Sequence, residues 1–170
     1  MGTAAALHRV RRADVVAFLD FDQELSAPRY RAAEEALALL SRASRLVGGR
    51  DGRVLIQTFQ PDHEVVRAAL GADPTPVAVA EAERRVVLSM PPAVTAVTIG
   101  GAAGPQFTEA VLAGAAEVGL DVTADELAVA DRRSWLLRAH DRDALLDLLA
   151  GTVRPPGGLR LHVDPMRVRR

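Results

Sequence analysis

Val15-Val16-Ala17-Phe18-Leu19, followed at once by Asp20-Phe21-Asp22, opens the stretch that decides how this chain folds; Pro28-Arg29-Tyr30-Arg31-Ala32-Ala33-Glu34 and Gly52-Arg53-Val54-Leu55-Ile56-Gln57-Thr58 complete it. The run from Val15 to Leu19 is continuously apolar rather than alternating, which predicts a strand covered on both faces in a parallel sheet. Pro28 suits a first helical turn. Ala32, Ala33, Ala36, Leu37, Leu39, Leu40, Ala43 and Leu46 then form a broad apolar stripe that stops at Gly48-Gly49, so residues 28–47 are predicted helical. Val54 to Thr58 is the next strand. Pro61-Asp62 starts a helix to about Leu70, with Asp62 as its cap, and a further helix runs from Pro76 to Leu88. The double proline in Met90-Pro91-Pro92 ends it and sets a domain boundary between 1–88 and 89–170. Two strands are too few for a doubly wound sheet that stands alone, so the first part reads as a piece of something larger.

Beyond that boundary the order is simpler. Val94 to Ile99 reads as a strand and Gln106 to Glu117 as a helix. Leu127 to Ala130 and Trp135 to Ala139 read as two strands joined by Asp131-Arg132-Arg133-Ser134. Asp141 to Ala150 is a helix and Leu159 to Val163 a last strand. This βαββαβ order predicts a ferredoxin-like split motif, making the whole chain α/β. The stretch Asp121 to Asp125 reads as irregular.

Composition narrows the chemistry. Cysteine is absent, which excludes disulfides, thiolate metal sites and a thiol nucleophile. Lysine is absent too, so all 21 basic residues are arginine. The phosphate loop of NTPases needs a lysine after its glycines, and none can be written here. No apolar run is long enough to span a bilayer, and no signal-peptide pattern opens the chain; a cytoplasmic protein without membrane contact is expected. Net charge is −1, against the basic balance usual in nucleic-acid binders, but the charges are uneven. Arg9, Arg11 and Arg12 crowd one end, and Arg154, Arg160, Arg167, Arg169 and Arg170 the other. Asp20, Asp22, Glu24, Glu34 and Glu35 make the first third acidic.

Several motifs have a functional and a plain reading. On one strand, Asp20 and Asp22 would share a face and could hold Mg²⁺; capping at a strand–helix junction is the plainer role. Gly48-Gly49-Arg50-Asp51-Gly52 runs from helix to strand, the wrong polarity for a phosphate cradle, and reads as a turn. Gly100-Gly101-Ala102-Ala103-Gly104-Pro105 has the right polarity but lacks an arginine, so a crossover turn explains it. The histidines are scattered. Trp135, beside Arg132 and Arg133, could stack a base, but the aromatic pair such sheets use is missing and core packing is the plainer reading.

The motif order resembles the C-terminal part of the replication-restart helicases, the PriA or primosomal protein N-prime family of superfamily 2. Gly2-Thr3, Asp20-Phe21-Asp22, Pro28 through Glu34, Gln57-Thr58 with Pro61-Asp62-His63, Glu83-Arg84-Arg85, Met90-Pro91-Pro92 and Val163-Asp164-Pro165-Met166 carry the likeness. It implies that 1–88 is a remnant of the second helicase lobe, built of parallel βα units, and 89–170 the family's C-terminal domain. Motor letters are missing. Leu7-His8-Arg9-Val10 stands where the family has Lys-Gly. Arg45 matches the first of two motif arginines, and the second falls near Gly48.

Gly2, Thr3 and Arg45 are therefore the degenerate nucleotide-associated positions, and no ATP hydrolysis is expected. ATP, Mg²⁺ and Zn²⁺ would belong to a full-length family member, and this chain would carry no cofactor. The resemblance covers only the last quarter or so of such a member, so a truncated gene product is expected. Implied partners are forked or single-stranded DNA, single-stranded-DNA-binding protein, other primosome proteins and the family's N-terminal part. From charge, the DNA-contact candidates are Arg9, Arg11, Arg12, Arg132, Arg133, Arg160, Arg167 and Arg169. Two other classes stay open: a replisome interaction module without DNA contact, and a small-ligand enzyme, for which no catalytic set can be named.

Overall fold

The computed structural model describes residues 4–48, 51–129 and 132–165, with backbone only for residues 4, 128, 129 and 132. The chain is mixed α/β and divides into two compact units, Met1–Glu81 and Ala82–Arg170. Among the described residues no helix is long and apolar enough to cross a membrane.

The first unit begins with a 3₁₀ turn at Ala4–His8, then β1 (Val15–Phe18), α1 (Asp22–Leu25), α2 (Ala32–Val47), β2 (Arg53–Ile56) and α3 (Glu64–Gly71). A fourth helix, α4 (Thr75–Val87), contains the division between units, upstream of the Met90-Pro91-Pro92 turn. Strands β1 and β2 pair in parallel, Val15 opposite Arg53 and Phe18 opposite Ile56, with α2 as the returning connection. Phe18, Val54 and Ile56 point to a core of Phe21, Leu25, Ala36, Leu40, Val65 and Val77. The opposite face carries Val15, Ala17 and Leu55, all exposed. The expectation of a strand covered on both faces is thus corrected: the apolar run reflects one buried face and one bare one.

Three local boundaries also differ from the reading of the sequence. Helix α2 starts at Ala32 rather than Pro28, because 27–31 is a separate turn. Arg29 pins that turn through ion pairs to Glu24 (3.0 Å) and Glu35 (3.1 Å), and Arg31 bonds Glu34 at 2.5 Å. The four-residue helix α1 is an addition that burial of Phe21 and Leu25 explains and local propensity does not. The cap of α3 is His63, not Asp62: the Val65 N–H donates to His63 Nδ1 at 3.2 Å.

In the second unit the elements are β3 (Thr95–Gly100), α5 (Gly104–Val118), β4 (Thr123–Val129), β5 (Arg132–Ala139), α6 (Arg142–Gly151) and β6 (Arg160–Val163). The four strands lie in the order β4-β5-β3-β6, each antiparallel to its neighbours. Central β3 is the most buried strand. Val97 and Ile99 from β3 and Leu137 from β5 meet Phe107, Val111, Leu145 and Leu149 of the helices in one core. Asp141 caps α6 by accepting the Ala144 N–H at 3.0 Å. Strand β4 takes in Thr123 to Asp125, which read as irregular, since an edge strand tolerates polar residues. Arg132, Arg133 and Ser134 are the start of β5 rather than part of its turn.

Candidate functional site

Residues far apart in sequence meet at both ends of the β1–β2 pair. Phe21 N–H donates to the Gln57 carbonyl (3.0 Å) and Gln57 N–H to the Phe18 carbonyl (2.8 Å), drawing the two strand ends together. Asp22 then accepts from the Thr58 hydroxyl (2.6 Å), the Phe59 N–H (2.9 Å) and the Gln60 side-chain amide (3.1 Å). Asp20 accepts from the Gln23 amide at 2.6 Å. Strand β1 ends at Phe18, so the two aspartates do not share a strand face. Asp20 lies in the loop and Asp22 opens α1, where a carboxylate suits the helix N-terminus.

Both oxygens of Asp22 are committed to these bonds, so its chemistry is that of a fastener. Its carboxyl is held below the ordinary aspartate range, first by the Thr58 hydroxyl and then by the Phe59 N–H. A depressed folded-state value means that the stabilisation is complete above the ordinary aspartate value and disappears as pH falls through the folded one. Thermal melts between about pH 3 and pH 6 check this: the advantage of the native chain over Asp22→Asn should shrink once the pH drops below about 4. An advantage that is constant across that range would remove the fastener role.

The Phe59 ring is 92% exposed at the tip of the loop, a feature that sequence alone presents as one more aromatic in a weakly aromatic chain.

At the amino ends of the same strands the charge is opposite. Arg42 of α2 donates through Nε to the Leu7 carbonyl (2.8 Å), and Ala13 N–H donates to the Leu46 carbonyl (3.1 Å). These two tethers lay the segment carrying Arg9, Arg11 and Arg12 against the last turns of α2, which carry Arg42 and Arg45. Arg9, Arg11, Arg12 and Arg45 are all exposed. The carboxyl end of α2 favours cations through its dipole, so local electrostatics and this clustering agree. The first unit thus gathers five arginines near the amino ends of the strands, beside Asp14, while Asp20 and Asp22 lie past the other end and Glu24, Glu34 and Glu35 are paired with Arg29 and Arg31.

The remaining candidates do not converge. Gly2, Thr3, Arg167 and Arg169 lie outside the described residues, and only the backbone of Arg132 is described, in β5. Arg133 pairs with Glu126 at 3.5 Å, on the face of the sheet that Trp135 and Ile99 share beneath the helices. Arg160, opposite Gly100 on edge strand β6, points to the other face, as does exposed His162. Trp135 packs against the core and the start of α5; a Cβ added at Gly104 would come within 2.9 Å of the indole. Base stacking on the sheet by Trp135 is therefore out, and packing accounts for it.

Asp164, from the Val163-Asp164-Pro165 motif, accepts the Ala96 N–H at 3.0 Å, donates its own N–H to the Ala96 carbonyl at 2.7 Å, and is paired with Arg142. It fastens the end of β6 to the start of β3 and to α6. Among the described residues, no group of three or more His, Asp and Glu side chains is arranged to hold a metal ion. Compared with known proteins, the chain is matched by no protein-family model and by no curated protein.

Proposed function

We propose that the chain is the C-terminal part of a replication-restart protein of the PriA type, which holds branched DNA and helps primosome assembly without hydrolysing ATP. The observation that carries this reading is the arginine pole. Arg9, Arg11 and Arg12, singled out for charge alone, lie with Arg42 and Arg45 at one end of the first unit. An arginine cluster of this kind suits phosphate. Two motif residues behind the resemblance also support it, since Asp22 and Thr58 bond although they stand 36 positions apart. The parallel β1–α2–β2 unit is compatible with a remnant helicase lobe, and the strand order β4-β5-β3-β6 with a ferredoxin-like domain.

The test is fluorescence anisotropy with a labelled forked duplex over a range of salt. Affinity should fall steeply as salt rises, and converting Arg9, Arg11 and Arg12 to glutamine should lower the log–log slope by roughly 3. Binding that ignores salt, or a triple variant with the native slope, would overturn the reading. The purified chain should turn over no ATP with or without DNA, because it lacks the lysine of a phosphate loop. On this reading the chain needs no cofactor of its own and works in the cytoplasm alongside single-stranded-DNA-binding protein and other primosome components.

A second reading rests on the bare apolar face of Val15, Ala17 and Leu55 and on the exposed Phe59. Such a surface suits a protein partner, and the chain would then be a replisome interaction module without DNA contact. Capture of a primosome protein that Leu55→Asp abolishes, with no binding to fork DNA, would favour it.

A further inference from the structure

We infer that the second unit carries a binding site for a guanidinium or ammonium group on an aliphatic stem, in the cleft between α5 and the β4–β5 hairpin. The cleft has a volume of about 380 Å³, at the small end of the range for ligand sites. One face of α5 forms its first wall, because Pro105, Thr108, Glu109 and Leu112 recur at helical spacing. Ala124 and Glu126 of β4 and Trp135 of β5 form the other, with Glu126 directly across the ladder from Trp135.

Three observations define what fits. The walls are mainly apolar, and the indole, Leu112 and Pro105 would shelter a run of methylenes. Two carboxylates stand at the rim, which repels anions. Glu109 has no ion pair or hydrogen bond among the described residues, and Glu126 has only the exposed Arg133 at 3.5 Å. The third observation is independent of charge. Thr108 is 4% exposed, and its hydroxyl has no hydrogen-bond partner among the described residues. A buried hydroxyl left unmatched costs stability, and because it both donates and accepts, a hydrogen-bonding group that reaches the cleft floor would complete it. A cationic donor on an apolar stem meets all three conditions; a neutral alcohol of the same length leaves the two carboxylates unmatched, and an anion is repelled by them. Arg133, held against the outside of Glu126, already shows a guanidinium drawn to this rim.

Trp135 is the sole tryptophan of the chain, so its emission reports on the cleft directly. Titrating the full chain with agmatine should give a saturable change with a millimolar midpoint, the range for a small ligand with few contacts. Butyrate and 1-butanol should give none. Glu109→Gln and Glu126→Gln should each weaken agmatine by about fivefold, the size of an exposed charge pair, and the double variant should abolish the response. Arg133→Gln, which releases Glu126, should strengthen it. Thr108→Val keeps the shape of the side chain; it should weaken agmatine while its melting temperature holds or rises.

A short peptide with one arginine that binds as well as agmatine would assign the site to a partner's side chain. Binding of agmatine without the peptide would assign it to a free amine. Equal responses to agmatine and 1-butanol, a full response in the folded double glutamine variant, or no saturable response from native protein to agmatine or the peptide would each overturn the inference. None of these outcomes depends on DNA binding.

Discussion

Phe21→Ala is expected to destabilise the first unit by about 3–5 kcal/mol, the cost of emptying a large aromatic site in a packed core. Phe21 is fully buried, and its ring meets that of Phe18 edge-on at 5.2 Å between centroids. It also sits between the two aspartates of the motif, and its N–H is tied to Gln57, so the site has little freedom to collapse. For a unit of this size, that loss corresponds to a fall of more than about 10 °C in the melting temperature of its transition. Phe59→Ala is the contrast: with the ring 92% exposed, it should stay within about 0.5 kcal/mol of the native chain. Urea titrations followed by circular dichroism check both. A Phe21→Ala midpoint equal to the native one would show that the core does not close around this residue.

Gly101→Ala is expected to cost about 2–6 kcal/mol, combining backbone strain with a steric clash, and to act on the second unit. Gly101 has φ +102°, and a Cβ there would lie 2.1 Å from the Gly158 carbonyl oxygen. The obstacle is backbone, so no side chain can rotate away. Moving it would break the 3.2 Å bond from Ala103 N–H to the Gly158 carbonyl and shift the approach to β6. Gly151→Ala serves as control. Nothing lies within 4 Å of a Cβ at Gly151, so alanine there should be neutral or stabilising by about 0.4–1 kcal/mol. Thermal melts of the two variants should separate clearly; equal melting temperatures would mean that the loop from 157 to 159 yields freely.

The glycine-rich segment before α5 was legible as a crossover turn because its letters state the backbone's freedom directly. What each glycine is for was not legible, since Gly158 lies 57 positions from Gly101 and only the closed sheet brings them together. The same division runs through the rest of the fold. Helix α2 could be read from apolar spacing and from its stop at Gly48, and α5 and α6 were legible to within a few residues. The short helix α1 could not, because four residues carry no periodic signal and it exists through the burial of Phe21. Pro28 pointed to a helix start, yet Arg29 tethers a preceding turn to Glu24 and Glu35. Asp62 was the better cap by residue type, but the chain direction at that corner gives the position to His63.

The candidate sites divide in a similar way. Arg9, Arg11 and Arg12 stand out as a run of charge, whereas Arg42 looks like an ordinary residue of a solvated helix face and Arg45 stands out only as a motif arginine. They join the same pole only because α2 returns antiparallel to β1. Asp20 and Asp22 looked equivalent, and tertiary bonding separates them: one bonds only the nearby Gln23 side chain, and the other closes a knot with Thr58 and Gln60. Nothing in the letters marked the cleft beside Trp135, because its walls come from three separate elements.

Composition alone decided that this chain has neither a thiol nor an ammonium side chain, and apolar periodicity decided most of its elements, since both are properties of residues or of near neighbours. Which carboxylates are committed to bonds, which arginines share a pole and which face of β1 stays bare were decided only in three dimensions. Hydrogen bonds and packing act over a few ångströms in space, and sequence separation carries no record of that distance until the strands have paired.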